Sequence, residues 1–340
     1  MGIRTEEQLE EHLSRPNDRD VAAISTLNGD ILILGAGGKM GPSLVRLARR
    51  AADAGGVRKR IIAIARFSNQ PLIAQLQAEG IETITADLLE PGVMSTLPDA
   101  ANVIFMAARK FGTSGAEYMT WAMNTYLPGL VAERFRDSRI VAFSTGNVYP
   151  LLPVTSGGAD ENTPVAPIGE YAQSALGRER MFEYGSARWG TPVAILRLNY
   201  AIDLRYGVLV DIALAVFERR PVDVRMGMVN VIWQRDANSA CLQSLQYCQS
   251  PPLVVNLTGP ETLSVRHIAR EFGKIFGVEP VFQGEEAPTA LLSNASRSHQ
   301  LFGYPTVSPR HLIDYVAEWI GRGGPLLNKP THFQTRDGNF

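Results

Sequence analysis

Thr145 and Tyr171 are the two side chains whose types and spacing best suit chemistry on a small molecule. Thr145 lies in the segment Phe143-Ser144-Thr145-Gly146-Asn147-Val148-Tyr149, at the end of a predicted strand, and Tyr171 opens a predicted helix. A phenol can exchange the proton of a substrate hydroxyl, and a neighbouring hydroxyl side chain can orient the same oxygen. The pair predicts proton exchange during hydride transfer at an alcohol or carbonyl carbon.

A glycine-rich turn earlier in the chain could hold the hydride carrier. The run Leu34-Gly35-Ala36-Gly37-Gly38-Lys39-Met40-Gly41 stands where an apolar strand passes into a helix. Glycines permit a tight turn, and backbone N–H groups at a helix N-terminus suit a pyrophosphate. The sequence therefore predicts a dinucleotide site. The alternative is that the glycines serve only the geometry of the junction between strand and helix. The predicted site residues in the turn are Gly35, Gly37, Gly38, Lys39, Met40 and Gly41.

Residues after the second and third strands bear on the form of the cofactor. An acidic residue after the second strand accepts from the ribose hydroxyls of NAD, whereas an arginine favours the 2′-phosphate of NADP. Arg66 stands there and favours NADP slightly, with Lys39 as a second cation; a solvated arginine is the alternative. Asp87 and Leu88 are candidates to face the adenine, although Asp87 equally suits a turn.

Alternating strands and helices must position these residues. The first strand, Ile31 to Leu34, is apolar without alternation, which is typical of a strand buried on both faces of a parallel sheet. The rhythm predicts an α/β fold: a Rossmann-like doubly wound parallel sheet with a smaller C-terminal substrate lobe. The predicted sheet includes strands at 229–233 and 252–256.

The predicted domains follow from where this rhythm begins and ends. They are an N-terminal helical appendage over 1–29, a dinucleotide-binding domain over 30–198 plus 229–257, a substrate lobe over 199–228 plus 258–320, and an extended tail over 321–340. In the appendage we expect a helix over 5–14 with Thr5 as its N-cap. The tail is expected either to dock across a partner subunit or to lie free.

Composition excludes several other classes of protein. The 340 residues carry 33 Lys+Arg and 34 Asp+Glu, and 45% are hydrophobic. This balance excludes a disordered chain and lacks the basic surface of a nucleic-acid binder. Two cysteines and five scattered histidines predict no metal site. The polar N-terminus and short apolar runs predict a cytoplasmic protein without membrane spans.

Over roughly residues 30–320 the sequence resembles the extended short-chain dehydrogenases/reductases, the NAD-dependent sugar epimerases and dehydratases. The resemblance rests on the glycine turn, Asp87-Leu88, Ala107-Ala108, Asn124, Ser144-Thr145, Val148-Tyr149, Tyr171, Leu196-Arg197 and the segment from Val255 to Gly259. It implies that Thr145 and Tyr171 are catalytic and that Ala107, Ala108 and Asn124, together with Tyr171, contact the cofactor. It also implies a homodimer formed through helices 115–136 and 170–189.

One departure from the family pattern concerns Tyr171. The family motif Tyr-x-x-x-Lys reads Tyr171-Ala172-Gln173-Ser174-Ala175 here, so the lysine that holds the nicotinamide ribose and lowers the phenol pKa is absent. Arg178, seven residues after Tyr171, could return a cation, but it lies about two helical turns away. An engineered change, natural loss of hydride transfer and a substrate that needs a weaker base all remain open.

A second departure concerns the substrate. Family members that use nucleotide sugars carry an Arg-Asp pair where this chain has Val229-Asn230. We therefore expect a sugar, sugar acid or related polyol rather than a nucleoside-diphosphate sugar. Asn199, Arg205 and Arg225 are the candidate substrate contacts, since arginine can bind a carboxylate or phosphate through two hydrogen bonds.

Two functions follow from these observations. The first is an NAD(P)-dependent epimerase, dehydratase or dehydrogenase that acts by hydride transfer on a sugar-like alcohol. The second, suggested by Ala175, is a cofactor-binding protein without hydride catalysis, serving as a sensor or a partner subunit.

Overall fold

The computed structural model describes residues 2–112 and 115–339; residues 1 and 340, at the ends of the predicted appendage and tail, lie outside the described residues. The helices are α1 (Glu6–Ser14), α2 (Asp18–Thr26), α3 (Gly41–Ala54), α4 (Gln70–Ala78), α5 (Val93–Thr96), α6 (Glu117–Trp121), α7 (Leu127–Arg134), α8 (Gly169–Trp189), α9 (Val208–Phe217), α10 (Gln234–Ser244), α11 (Val265–Phe276), α12 (Ser296–Phe302) and α13 (Pro309–Gly321). The strands are β1 (Ile31–Leu34), β2 (Ile61–Ala65), β3 (Glu82–Thr85), β4 (Asn102–Phe105), β5 (Arg139–Thr145), β6 (Leu152–Pro153), β7 (Val193–Leu198), β8 (Ala201–Ile202), β9 (Val222–Asp223), β10 (Met228–Val229), β11 (Ile232–Trp233), β12 (Leu253–Leu257), β13 (Leu263–Ser264), β14 (Phe282–Gln283) and β15 (Thr289–Ala290).

A parallel sheet of seven strands forms the centre of the molecule, in the order β12-β7-β5-β4-β1-β2-β3. Every residue of β1, β2 and β4 is buried, because helices cover both faces of the sheet. The predicted doubly wound fold is confirmed. The strand order reverses between β1 and β4, and ligands of such sheets bind in the crevice that this reversal opens at the carboxyl ends of the strands.

The second layer of the molecule is a lobe with its own hydrophobic core. Helices α9, α11 and α13 pack against one another there. Leu9 and Leu13 of α1 are buried in the same core, so the N-terminal helix is part of the lobe's packing. Thr5 caps α1 as predicted, accepting from the backbone N–H of Gln8 at 3.2 Å. The helix α2 that follows was not predicted.

The predicted strand 229–233 is wrong as a member of the main sheet. Residues 228–233 form two short strands instead: β10 pairs with β13 in the lobe, and β11 pairs with β8. Between them, buried Asn230 donates to the carbonyl of Glu261 and accepts from the N–H of Ser293. The run is almost uniformly buried, so its pattern could not indicate which strand it pairs with. The predicted strand at 252–256 is confirmed as β12, which pairs with β7.

The predicted helix 115–136 is interrupted. Residues Ala122–Tyr126 form a π-helical turn between α6 and α7. Such turns insert one residue into a helix and redirect a side chain, often near functional sites. Here the buried residue of the turn is Asn124.

No helix among residues 2–112 and 115–339 is long and apolar enough to cross a membrane.

Candidate functional site

The glycine turn between β1 and α3 lies against the end of β4. Gly35 has a φ of +92°, and a Cβ there would come within 2.5 Å of the backbone nitrogen of Ala107. A Cβ at Gly41 would come within 2.2 Å of the carbonyl oxygen of Ala36. These two glycines let backbone segments meet, whereas Gly37 and Gly38 are exposed. The turn therefore offers bare backbone at the N-terminus of α3, which fits a pyrophosphate.

Arg66 and Asp87 lie near each other beyond the ends of β2 and β3. The Arg66 guanidinium is largely exposed, and its Nη1 is 3.8 Å from Oδ2 of Asp87. Asp87 also accepts from the backbone N–H of Leu89, as a turn residue does. Leu88 is buried in the hydrophobic core beneath the sheet, so its side chain is not presented to a ligand.

Thr145 ends β5 and Tyr171 lies in the first turn of α8, and the fold joins them. The side chain of Thr145 lies close enough to the Tyr171 phenol to lower its pKa. The Thr145 hydroxyl accepts from the backbone and side-chain N–H groups of Asn147, at 3.2 and 3.0 Å. Burial raises the pKa of Tyr171 above its usual value, and the charge of Arg178 and the side chain of Thr145 lower it in part. The phenol is therefore protonated at neutral pH.

A cavity of about 140 Å³ opens beside this pair. Thr145 and Tyr171 line it together with Lys39 and Met40 of the glycine turn, and with Asn199 at the end of β7. The fold thus brings together residues from four predicted parts of the site. The arrangement can hold a small ligand against a phenol, a hydroxyl and the mouth of a dinucleotide turn.

A sequence-family model described as the NAD dependent epimerase/dehydratase family matches residues 31–201, half of the chain. The match includes the glycine turn, Thr145 and Tyr171. The chain belongs to the NAD-dependent epimerase/dehydratase family. The predicted resemblance is confirmed, and the chain is an NAD(P)-dependent enzyme of the epimerase/dehydratase type. No curated protein sequence matches it significantly.

Solved structures share the fold at low sequence identity. The UDP-glucuronic acid 4-epimerase from Bacillus cereus, in complex with UDP-glucuronic acid and NAD, is 19% identical over 86% of this chain and 99% of that one, with a TM-score of 0.72. The UDP-glucose 4-epimerase from Thermotoga maritima, with UDP-glucose, is 15% identical over the same shares, with a TM-score of 0.69. The UDP-Glc/GlcNAc 4-epimerase from Campylobacter jejuni is 21% identical over 86% and 98%, with a TM-score of 0.69.

This family member lacks a lysine at Ala175, and the space there is filled. Ala175 is fully buried in a small cluster with Val148, Tyr149 and Ala159. Arg178 does not replace the lysine by contact, because its Nη1 donates to the carbonyl of Phe143 at 2.8 Å and its Nη2 to Oδ1 of Asn124 at 2.9 Å. Its buried charge nevertheless lowers the pKa of Tyr171.

Asn124 holds the loop after β4 in place. Its side chain accepts from the N–H of Arg109 at 2.9 Å and donates to the carbonyl of the same residue at 2.8 Å. It also donates to the hydroxyl of Ser174 at 3.0 Å. Because Asn124 has no exposed surface, we interpret it as a positioning residue of that loop. Ala108, in the loop, is exposed, whereas Ala107 is buried against Gly35.

Lys110 is a site residue that the sequence analysis missed. Its Nζ lies 5.8 Å from the centre of the Tyr171 ring and donates to the carbonyl of Thr331 at 3.3 Å. Burial lowers the pKa of Lys110 to about 8, and the charge of Asp211 acts in the opposite direction. Lys110 directly follows the segment Ala107-Ala108-Arg109, and that adjacency was the only signal in the sequence.

The C-terminal tail covers the cavity of its own chain. Thr331 lines the cavity and donates its backbone N–H and its hydroxyl to Oδ2 of Asp211, at 2.8 and 2.6 Å. Phe333 is buried in the lobe core, and Arg336 donates to the carbonyl of Thr289 at 2.7 Å. These contacts hold residues 331–336 against their own chain, so this part of the tail does not lie free, while docking across a partner subunit stays a prediction.

The two candidate substrate arginines lie elsewhere. Arg205 pairs with Asp203 at 2.8 Å and with Glu10 of α1 at 2.8 Å. Arg225 pairs with Asp223 at 2.6 Å and is well exposed. Neither lines the cavity beside Tyr171, because each is already held by carboxylates of its own surroundings. Of the three predicted substrate contacts, the cavity therefore includes Asn199.

The described residues bring together no group of three His, Cys, Asp or Glu side chains that could hold a metal ion.

Proposed function

We propose that the enzyme transfers hydride between NAD(P) and a sugar-like alcohol or its carbonyl form, with Thr145 and Tyr171 handling the proton. The convergence of these two side chains on one cavity, beside the glycine turn, carries the proposal. Oxidation of an alcohol releases a hydride and a proton, and a bound nicotinamide cofactor takes the hydride. Thr145 orients the substrate oxygen, and the protonated phenol of Tyr171 donates a proton to that oxygen as the carbonyl form is reduced. In the direction of oxidation, Tyr171 takes up the substrate proton only after the phenol has released its own proton.

The residues of the turn would hold the cofactor. Gly37 and Gly38 are exposed, so the backbone of the turn would be accessible to the pyrophosphate, and Arg66 would favour the 2′-phosphate of NADP over the bare ribose of NAD. Calorimetric titration with NAD⁺, NADH, NADP⁺ and NADPH tests the site. Binding of at least one form supports it, and binding of none would remove the basis of the proposal.

We propose further that the substrate is not a nucleoside-diphosphate sugar. Val229 and Asn230 are buried, so neither offers a diphosphate a contact. A second cavity of about 340 Å³ lies between α9 and the tail, but Arg205 and Arg220 in its wall are each paired with a carboxylate. The related structures solved with UDP-sugars make a nucleotide sugar the competing candidate.

Separate titrations with two ligands distinguish these candidate substrates. Protein saturated with cofactor is titrated with D-glucuronate and with UDP-glucuronic acid, which share the same sugar acid. We expect glucuronate to bind at least as tightly. Binding of the UDP derivative more than about tenfold tighter, or 1.4 kcal/mol, would assign the substrate to the nucleotide sugars.

Tyr171→Phe tests the catalytic assignment. General acid–base groups contribute about 10²–10⁴-fold to the rate, so turnover of an identified substrate should fall by at least about 100-fold while cofactor affinity changes little. Turnover equal to that of the wild type would contradict the role of Tyr171. A cofactor-binding protein without hydride catalysis has only the absence of a lysine at Ala175 in its favour.

A further inference from the structure

Two amines from distant parts of the chain meet in the cavity beside Tyr171. Lys39 comes from the glycine turn, and its Nζ lies over the ring of Tyr206, 3.0 Å from the ring centre. Lys110 comes from the loop after β4, and its Nζ lies over the rings of Tyr171 and Phe111 at 5.8 and 5.4 Å. Both lysines line the cavity.

Among the described residues, the carboxylates that act on these amines are Asp211 and Asp203. The charge of Asp211 on α9 acts on both lysines, so one carboxylate is shared between two cations. Oδ2 of Asp211 already accepts two hydrogen bonds from Thr331, and burial raises the pKa of Asp211. Asp203 also acts on Lys39 but is bound to Arg205.

The pKa values of both lysines are lowered in this environment. Desolvation, followed by repulsion from Lys110, lowers the pKa of Lys39. Desolvation also lowers the pKa of Lys110. An anion placed between such groups favours their charged forms and would raise both pKa values.

We infer that this cavity binds an anionic group of the substrate, a carboxylate or a phosphate, through Lys110. The inference rests on the proposed function, because it places the anion beside the proton-transfer pair. Lys39 belongs to the glycine turn and so faces the cofactor as well, whereas Lys110 lies over the ring of Tyr171 itself. The substrate is then a sugar acid or a sugar phosphate rather than a neutral sugar.

Three hexose probes that differ in charge test the inference. Protein saturated with NAD⁺ or NADP⁺, whichever binds, is titrated by calorimetry at pH 7 with D-glucuronate, D-glucose 6-phosphate and D-glucose. We expect at least one anion to bind about tenfold or more tighter than glucose, and the anion that does so identifies the group. Equal binding of all three, or no binding, would overturn the inference.

Two variants of Lys110 test whether its charge binds the anion or whether the side chain only supports the local structure. Lys110→Met should lose at least tenfold in affinity for the anion while its affinity for glucose is unchanged. Lys110→Arg keeps a charge and should stay within about threefold of the wild type. Lys274→Met is the matched control, because Lys274 is an exposed lysine of α11 paired with Glu271. Wild-type anion affinity in Lys110→Met would overturn the inference.

Measuring cofactor affinity shows whether Lys110 binds an anionic group of the substrate or the phosphates of the cofactor. The cofactor is titrated alone into each variant before any probe is added. If Lys110→Met weakens NAD(P) but leaves the selectivity for glucuronate intact, the lysine serves the cofactor's phosphates and the inference fails. If no cofactor binds to the wild type, the proposed function fails, and that result is separate from the charge selectivity measured with the probes.

The pH dependence of anion affinity also tests the role of Lys110. A lysine with only a structural role would not change it. Lys110 is charged below its pKa of about 8 and neutral above it, so anion affinity should fall as the pH rises from 7 to 9. Lys39, Tyr171, Tyr200 and Tyr206 are titratable groups of the same cavity. The charge of Asp211 acts on Lys110, while Lys329 and His332 act on Lys39 and Asp211 respectively. At pH 8, binding should take up protons in the wild type. Lys110→Arg should take up fewer, because a guanidinium stays charged. Equal proton uptake in the two proteins would contradict the role of Lys110.

Discussion

At the scale of single residues, Arg66 is the side chain that can decide between the two forms of the cofactor. Its exposed guanidinium lies 3.8 Å from the carboxylate of Asp87. A 2′-phosphate would be a stronger partner for this guanidinium than Asp87. Arg66→Ala should weaken NADP⁺ by about tenfold or more, or 1.4 kcal/mol, and change NAD⁺ by less than twofold. Calorimetry measures both. Arg58→Ala, before β2, is the control, and equal losses for both cofactors would refute the assignment.

The residues of the site that sequence could locate are those in local patterns. The glycine turn follows β1 and Thr145 ends β5, so their place at the carboxyl edge of the sheet follows from a parallel fold. Tyr171 was located by its motif at the start of α8. Lys110 could not be found in this way, because its role depends on the tail that reaches it from residue 331. The ion pair of Arg205 with Glu10 could not be found from the sequence either, since Glu10 comes from the first helix.

Glu179 of α8 and Arg197 of β7 form a buried ion pair. Two hydrogen bonds of 2.7 and 3.0 Å join them, and Arg197 also donates to the hydroxyl of Tyr149 at 2.7 Å. Glu179→Gln would leave a buried guanidinium without its counter-charge and should cost about 3–5 kcal/mol of unfolding free energy. Glu183→Gln on the same helix removes a half-exposed pair and should cost less than about 1 kcal/mol. Urea unfolding compares them, and equal losses would contradict the prediction.

At the scale of elements, uniform burial of a segment limited how well its strand pairing could be predicted from the sequence. Buried strands of the main sheet, such as β1, β2 and β4, were recognised because apolar runs alternated with predicted helices. The segment over 228–233 is equally buried, yet it divides between the lobe and β8. Pairing between elements distant in sequence decides such cases. A run without alternation carries no signal for its partner.

The tail is an element whose docking can be tested directly. Thr331 donates its hydroxyl to Asp211, and that hydroxyl oxygen accepts from the N–H of Phe333 at 3.2 Å. Hydrogen bonds to charged groups contribute about 1.5–3 kcal/mol, so Thr331→Val should speed amide hydrogen exchange over residues 329–336 by about tenfold. Thr335→Val is the control, because Thr335 is held by its backbone N–H to the carbonyl of His332. Exchange at the wild-type rate in Thr331→Val would show that this contact does not hold the tail.

At the scale of the whole molecule, the N-terminal helices join the dinucleotide-binding part to the lobe. Glu10 of α1 pairs both with Arg46 on α3 and with Arg205 in the lobe. Asp20 of α2 is fully buried and accepts from Arg235 on α10 at 3.1 Å. The predicted division into an appendage, a sheet domain and a lobe therefore stays a prediction about sequence segments, since all three share contacts.

The outer surface of α6, the π-helical turn and α8 carries the prediction of a homodimer. Tyr118, Tyr126 and Tyr184 are exposed there by 72%, 60% and 59%, and exposed aromatic side chains on adjacent helices are typical of interfaces. Sedimentation velocity should show a dimer, and Tyr126→Glu combined with Tyr184→Glu should give a folded monomer, because two carboxylates would be desolvated between the subunits. Tyr304→Glu combined with Val281→Glu changes two equally exposed residues outside these helices and should remain dimeric. A wild-type monomer would refute the homodimer, and dimers in both variants would place the interface elsewhere.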